Sequence, residues 1–313
     1  MSAEALREKI GDREVIASVS GGKDSTAMCL YLRELGIPYT AVHTITGWDH
    51  PDVMAYLEEV LPQHIGPIQM LRADVSVPEA LMPHVLRLEA MLGHESPMVR
   101  LVIKKGMFPS RVRRFCTEAI KVKPIARFIN GLDADAVNTV GVRASESAAR
   151  ARLPEWEEWR AIDCEVWRPI IRWTDQEVVD IHTRHAAPPN PLYLRGASRV
   201  GCWPCIFARK AEIRMMADTD PEHVDFLREL ERVVASLARD RHEARGEEMD
   251  NDPSWFQAPL RNREGARSCW PIQRVVEWSR TRRGGRQMEI FAPPAREWGC
   301  MRWGVCDTGA GES

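Results

Sequence analysis

The sequence predicts an α/β fold: a doubly wound parallel sheet with a helical and irregular, cysteine-containing C-terminal appendage. Three observations predict it. Short apolar runs rich in Val and Ile alternate with amphipathic stretches of helical length through the first half of the chain, the pattern of strands buried on both faces and connected by helices. The first such run, EVIASVS at 14–20, leads through a Gly-Gly turn into a helix. Beyond Glu165 the texture changes to Pro/Gly-rich loop, charged helix and a Trp-rich tail.

Taken in order, residues 14–20 read as a buried strand and 24–36 as a helix with a Gly stop. A second strand over 38–46 precedes a helix over 51–62 that starts on Pro51. The apolar run 68–74 leads into a long helical stretch ending near Lys105, residues 119–130 are helical, and 136–145 form a strand ending in a loop. WRPIIRW at 167–173 reads as a further strand, and 174–185 as a helix capped by Thr174. Residues 188–205 are loop, 208–248 read as a solvated pair of charged helices, and the chain is irregular from about Asn251, with Trp255, Trp270, Trp278, Trp298 and Trp303. This places a sheet domain over 1–166 and the appendage over 167–313.

Composition narrows the function. Lys plus Arg is 43 against 45 for Asp plus Glu, a net charge of −2, which excludes a polybasic binder and leaves room for a local basic patch. No apolar run is long enough to span a bilayer, and the N-terminal residues read as a charged helical lead-in rather than a signal peptide. A cytoplasmic protein with no membrane partner is expected. Only seven basic residues are Lys. An Arg excess of this kind fits a GC-rich genome, or phosphate contact through the guanidinium fork. The eight Cys, at 29, 116, 164, 202, 205, 269, 300 and 306, point to metal or redox chemistry rather than to a disulfide framework.

The sharpest motif is Ser20-Gly21-Gly22-Lys23-Asp24-Ser25 between strand and helix. Two glycines let the backbone approach phosphate oxygens, and the helix N-terminus points N–H groups at them. Ser20 and Ser25 offer hydroxyls and Lys23 a point charge. Asp24 would repel a bare phosphate, so its expected partner is Mg²⁺. The Walker A spacing is absent.

This loop resembles the pyrophosphate loop of the ATP-pyrophosphatase superfamily. Further motifs follow in one chain order: Thr46-Gly47-Trp48-Asp49-His50-Pro51, Phe115-Cys116-Thr117, Ile120-Lys121-Val122-Lys123-Pro124, Gly141-Val142-Arg143 with Glu146-Ser147, a segment from Pro169 to Asp175, Pro189-Asn190-Pro191-Leu192-Tyr193 and Gly201-Cys202-Trp203-Pro204-Cys205. Together they resemble the phosphoadenosine phosphosulfate (PAPS) reductase family, which holds sulfonucleotide reductases and ATP-using sulfur transferases. The resemblance implies an adenine nucleotide over the carboxyl ends of the strands. Ser20 to Ser25 would hold phosphates or sulfate and Thr46 and Gly47 would lie by the adenosine. Arg143, Glu146 and Ser147 would stand at the anionic end, with Lys121 and Lys123 as additional cations or plain surface lysines. Lys23, Asp24 and Arg143 are the expected catalytic residues. Ile45 stands where many relatives carry Asp, so that contact is lost or passes to a residue such as Asp49. The Glu-Cys-Gly-(Leu/Ile)-His element of the reductases is missing, and the complete SGGKDS loop favours ATP.

Cys202 and Cys205 form C-x-x-C in a Gly/Pro-flanked loop, spacing that lets two thiolates reach one metal. With Cys116 they resemble the layout of cluster-binding adenylyl-sulfate reductases. Cys306 is the expected fourth ligand, with Cys300 and Cys269 as alternatives. A [4Fe–4S] cluster is the first expectation, Zn²⁺ the second and a redox disulfide the third. Cys29 and Cys164 read as packing residues, and His182 and His185 as surface residues. The segment with Arg280, Arg282, Arg283, Gly284, Gly285 and Arg286 reads equally as a nucleic-acid contact or a solvated helix end. The resulting expectation is a sulfur-transfer enzyme that binds Mg-ATP, adenylates an acceptor with pyrophosphate release and inserts sulfur. The acceptor would be nucleic acid or a small molecule, and a cysteine desulfurase or thiol reductant would act as partner. The alternatives are a PAPS or adenylyl-sulfate reductase producing sulfite, and a non-catalytic nucleotide- or DNA-binding accessory protein.

Overall fold

The computed structural model describes residues 2–249, 251–257 and 269–282. Six strands form one sheet: β1 (Glu14–Ser18), β2 (Thr40–Ile45), β3 (Ile68–Arg72), β4 (Ala136–Val140), β5 (Trp156–Trp159) and β6 (Cys164–Trp167). Their order is β3-β2-β1-β4-β6-β5, parallel throughout except for β5, which pairs antiparallel with β6. The order reverses between β1 and β4, and ligands of open α/β sheets bind at such a switch point, beyond the carboxyl ends of the strands.

Alternation along β1 explains the two-sided core. Val15 and Ala17 pack with Leu30 of the helix Lys23–Glu34 and Ile181 of the helix Asp175–Arg184. Ile16 faces the other way, into a cluster with Val42, Ala136 and Ile129 of the helix Lys123–Asn130. A strand buried on both faces has no polar side to offer, which is why it reads as an unbroken apolar run. A third cluster joins Val85, Leu88 and Val102 to Phe226, Leu227 and Leu230.

That third cluster corrects one expectation. The helices Lys210–Thr219 and Pro221–Glu243 are not a solvated pair, because Leu230, Val234 and Met216 are fully buried. Charged residues fill the outer face of the longer helix and mask an apolar stripe at helical spacing. The stretch before Lys105 is two helices, Met82–Leu92 and Pro97–Lys105. Gly93 adopts a left-handed φ of 75°, and Ser96 restarts the chain by accepting from the Val99 N–H.

The expected strand 167–173 is displaced. The ladder is Cys164–Trp167, and residues 169–172 turn back, with the Ile171 N–H donating to the Arg168 carbonyl. Pro169 has no N–H to give a ladder, so the strand stops before it. Strand β5 was not anticipated. The region after 251 also carries a helix, Ile272–Ser279. No helix among the described residues is long and apolar enough to cross a membrane.

Candidate active site

The loop after β1 and the loop after β4 meet at the switch point, and Gly141 is the reason they can. A Cβ there would lie 2.6 Å from both the Asp24 carbonyl oxygen and Ser25 Cα, so only Gly lets the end of β4 rest on the start of the phosphate-loop helix. Two residues later Arg143 turns inward and is 3% exposed. Its Nε donates to Asp24 Oδ1 at 2.5 Å, and its Nη2 to Asp175 Oδ1 at 2.8 Å. Lys23 Nζ reaches the same two carboxylates, at 3.0 Å to Asp175 and 3.3 Å to Asp24. Two cations and two anions form a compact quartet of zero formal charge. Burial works against the Arg143 charge, but Asp24 and Asp175 outweigh it and hold the guanidinium pKa above its ordinary value.

Asp175 was missed as a site residue, although it stood within the motif run ending at Asp175. It is the first residue of the helix that Thr174 caps, Thr174 Oγ1 accepting from the Glu177 N–H at 3.2 Å and Glu177 Oε2 from the Thr174 N–H at 2.7 Å. The same helix supplies His182, which is buried at 2% exposure and not a surface residue. Its Nε2 lies 2.9 Å from the Lys23 carbonyl and its Nδ1 3.0 Å from that of Ala187. Tyr193 accepts from the Lys23 N–H at 3.3 Å. Both backbone groups of Lys23 are thus fixed by elements more than 150 residues away.

Within the loop, Ser25 Oγ donates to the Gly22 carbonyl at 3.0 Å and accepts from the Ser20 N–H at 3.1 Å, with Ser20 Oγ 3.2 Å away. Gly21 has a φ of 71°, and a Cβ on it would lie 3.1 Å from Val53 Cγ1. Glu146 is placed beside the quartet rather than in it: Oε2 accepts from the Arg143 N–H at 2.8 Å and pairs with Arg150. It closes the turn that aims Arg143.

On the other side of the site, the β2 loop is self-satisfied. Thr46 is fully buried, and its Oγ1 donates to Asp49 Oδ2 at 2.6 Å while accepting from the Trp48 N–H at 3.1 Å. Gly47 has a φ of 59°, and a Cβ on it would lie 2.6 Å from Ser96 Cα. The cysteine loop docks on this segment. Asp49 and Cys202 form an antiparallel bridge, the Trp203 N–H donates to the Trp48 carbonyl at 2.7 Å, and Trp48 Nε1 donates to the Pro204 carbonyl at 3.0 Å.

Burial pushes the Cys202 thiol up to about 11 against the opposing pull of Lys121, which hydrogen-bonds it. Lys123 points away and pairs with Glu118. Cys116 is buried, and burial pushes its thiol above the ordinary value. Yet among the described residues no three His, Cys, Asp or Glu side chains gather closely enough to hold a metal ion. The thiols described here are therefore an incomplete donor set for a cluster or for zinc. Cys269 sits in a short ladder opposite Gln257, and Cys300 and Cys306 lie outside the described residues, as do Arg283 to Arg286. Arg280 pairs with Asp218 at 2.9 Å. Cys29 and Cys164 are buried packing residues, and burial pushes the Cys29 thiol up to about 12.

Fold and site together define an α/β protein whose Gly-Gly turn and buried ion-pair quartet stand at the switch point of a mostly parallel sheet. The family described as the phosphoadenosine phosphosulfate reductase domain matches residues 14–208, and the chain belongs to that family. It is 33% identical to an uncharacterised 37.8 kDa protein in the gpa 5′ region of Escherichia phage 186, over 93% of this chain and 96% of that one. It is 32% identical to the adenosine 5′-phosphosulfate reductase of Allochromatium vinosum over 38% of this chain and 47% of the reductase, and 33% identical to that of Deinococcus radiodurans over 30% and 36%. The chain thus matches under half the length of these two reductases. Among solved structures, the phosphoadenylyl-sulfate reductase of Candida auris in its phosphate complex aligns with a TM-score of 0.47 at 17% identity, over 66% of this chain and 90% of that one.

Proposed function

We propose that this protein binds Mg-ATP at the Ser20–Ser25 loop and activates an acceptor for sulfur insertion, with release of pyrophosphate. The observation that carries the reading is the quartet of Lys23, Asp24, Arg143 and Asp175 at the mouth of a complete SGGKDS loop. Its two cations are what a polyphosphate needs. Its two carboxylates share one spot beside Lys23 Nζ, and they suit Mg²⁺, which takes one or two carboxylates together with substrate phosphates. The ion would neutralise the charge between polyphosphate and carboxylates.

In this reading the acceptor oxygen forms a bond to the α-phosphorus as the α–β bridging bond breaks, and pyrophosphate carries away the electron pair. Lys23 and Arg143 exchange carboxylate partners for phosphate oxygens and hold the leaving group. Catalysis of this type rests on positioning and charge. Sulfide-level sulfur, supplied by a partner as a nucleophile, would then bond to the activated acceptor atom as that atom's bond to the bridging oxygen breaks, and AMP would leave carrying that oxygen. No step is assigned to a metal cluster.

A second reading, reduction of a sulfonucleotide to sulfite, is supported by the several relatives named as adenosine 5′-phosphosulfate reductases. The deciding experiment measures pyrophosphate from Mg-ATP against sulfite from PAPS and adenylyl sulfate, using anaerobically purified protein. Pyrophosphate release lost in Asp24→Asn and Arg143→Ala is the expected outcome. Sulfite without pyrophosphate would replace the proposal with the reductase reading.

A further inference from the structure

Beside the cysteine loop lies a basic cluster that the nucleotide site does not use. Residues 110–113 form a tight turn, the Ser110 N–H donating to the Arg113 carbonyl at 3.1 Å and the Arg113 N–H to Ser110 Oγ at 3.0 Å. The turn projects from the surface, with Val112 82% exposed between Arg111 and Arg113. It is tied to the cysteine loop where Arg111 Nε donates to the Ile206 carbonyl at 3.3 Å. The guanidinium carbons of Arg111, Arg114 and Arg199 lie 5.7, 5.3 and 5.7 Å from the centre of the Phe207 ring. Among the described residues, none of Arg111, Arg113, Arg114 or Arg199 makes a salt bridge, although most other arginines here do.

We infer that this cluster is a docking surface for duplex DNA, gripped through its phosphates. Three guanidinium groups on one ring, with a fourth at the turn, concentrate positive charge that no carboxylate among the described residues pairs with. Duplex DNA offers the densest complement, about one negative charge per 1.7 Å of axis. Single-strand binders stack bases on open aromatic faces, whereas Phe207 already carries three guanidinium groups. A projecting turn fits the wide major groove of B-DNA, and A-form RNA has a deep, narrow one. Cys205 lies two residues from Phe207, so a duplex held here lies against the cysteine loop. The inference names the acceptor class for the sulfur-transfer reading and rests on that reading for its catalytic meaning. The binding itself is measured independently of turnover.

The test titrates a fluorescent 20-base-pair DNA duplex by anisotropy at several salt concentrations. It compares the intact chain with the triple variant Arg111→Gln, Arg114→Gln, Arg199→Gln, and with a control of equal charge change, Arg160→Gln, Arg228→Gln, Arg232→Gln. ATP binding is followed in parallel. The expected result is that the cluster variant loses roughly two orders of magnitude in affinity at 100 mM salt and flattens the log–log salt slope by about 2.7, three contacts at about 0.9 each. The control variant and ATP binding should stay unchanged. Equal loss in both variants would overturn the inference, as would tighter binding of single strands or duplex RNA, or of polyglutamate as a mimic of an acidic protein. Loss of ATP affinity in the cluster variant would overturn it too, by assigning these arginines to the nucleotide. Intact DNA binding with no pyrophosphate release would leave this surface standing and remove the ATP reading.

Discussion

Asp175 occupies the cations that an incoming phosphate needs, so removing its charge should tighten nucleotide binding. In Asp175→Asn the quartet changes from zero to +1, while the shape and much of the hydrogen bonding to Lys23 and Arg143 survive. A phosphate seated on Lys23 and Arg143 would lie about 6 Å from the Asp175 carboxylate, a repulsion of roughly 3 kcal/mol at an effective dielectric constant of 20. The Asp175 side chain is 50% exposed, and solvent screening at a half-exposed site removes about half of that. What remains, about 1.4 kcal/mol, is a tenfold gain in ATP affinity. The assay is calorimetric titration of ATP in EDTA, which excludes any metal bridge to the carboxylate, with adenosine as the ligand that carries no phosphate. Asp175 also stands in the first turn of its helix, where losing an anion costs about 0.3–1 kcal/mol of stability, too little to unfold the site. Unchanged or weaker ATP binding would refute the reasoning, and so would an equal gain for adenosine.

Three other outcomes follow from the packing and the buried histidines. Gly47→Ala forces a Cβ to within 2.6 Å of Ser96 Cα at a φ of 59°; left-handed strain and overpacking together should cost about 2–5 kcal/mol, read from the urea midpoint. Leu230→Ala should cost about 2–5 kcal/mol and lower the melting of far-UV and Trp signals together, because Leu230 is fully buried in a cluster with Val85 and Leu88. Burial, then Arg195, holds the His50 pKa at about 4, and its Nδ1 accepts from the Asp52 N–H at 3.0 Å. Between pH 6.5 and 4 the unfolded chain takes up a proton that folded His50 refuses, so stability should fall with decreasing pH by up to about 3 kcal/mol, and His50→Gln should flatten that slope in denaturant titrations.

The central strands β1, β2 and β4 were legible because they are buried on both faces and each is followed by a Gly-containing turn, as with β1 and Gly21-Gly22. The Gly-Gly turn after β1 and the place of Arg143 after β4 were legible because Gly and charge stand at strand ends. The edge strand β5 was not, since WEEW has exposed Glu at its centre and pairs only along one side. Sequence reading also took His182 for a surface residue, because no local pattern tells that a helical histidine faces a carbonyl 159 positions away. The longer C-terminal helix misled for the opposite reason. Its charges are numerous, but apart from the buried Glu231 they lie on the outer face, and the buried Val224, Leu227, Leu230 and Val234 recur at three- and four-residue intervals. Asp175 was visible as a motif member and invisible as a partner of Lys23, since long-range ion pairing leaves no periodicity.

The position of the cysteine loop gives the site its logic. Residues 201–204 are stitched to the β2 loop by backbone hydrogen bonds from His50 and Trp203 and by the Trp48 indole. The segment just before them also roofs the phosphate loop, because a Cβ on Gly22 would lie 3.3 Å from Tyr193 Oη and 3.4 Å from Val200 Cγ2. One continuous stretch, 190–205, therefore touches both the Ser20–Ser25 turn and the segment after β2. The Ser20–Ser25 turn and the Cys202–Cys205 loop are thus braced by the same short piece of chain rather than by two independent halves.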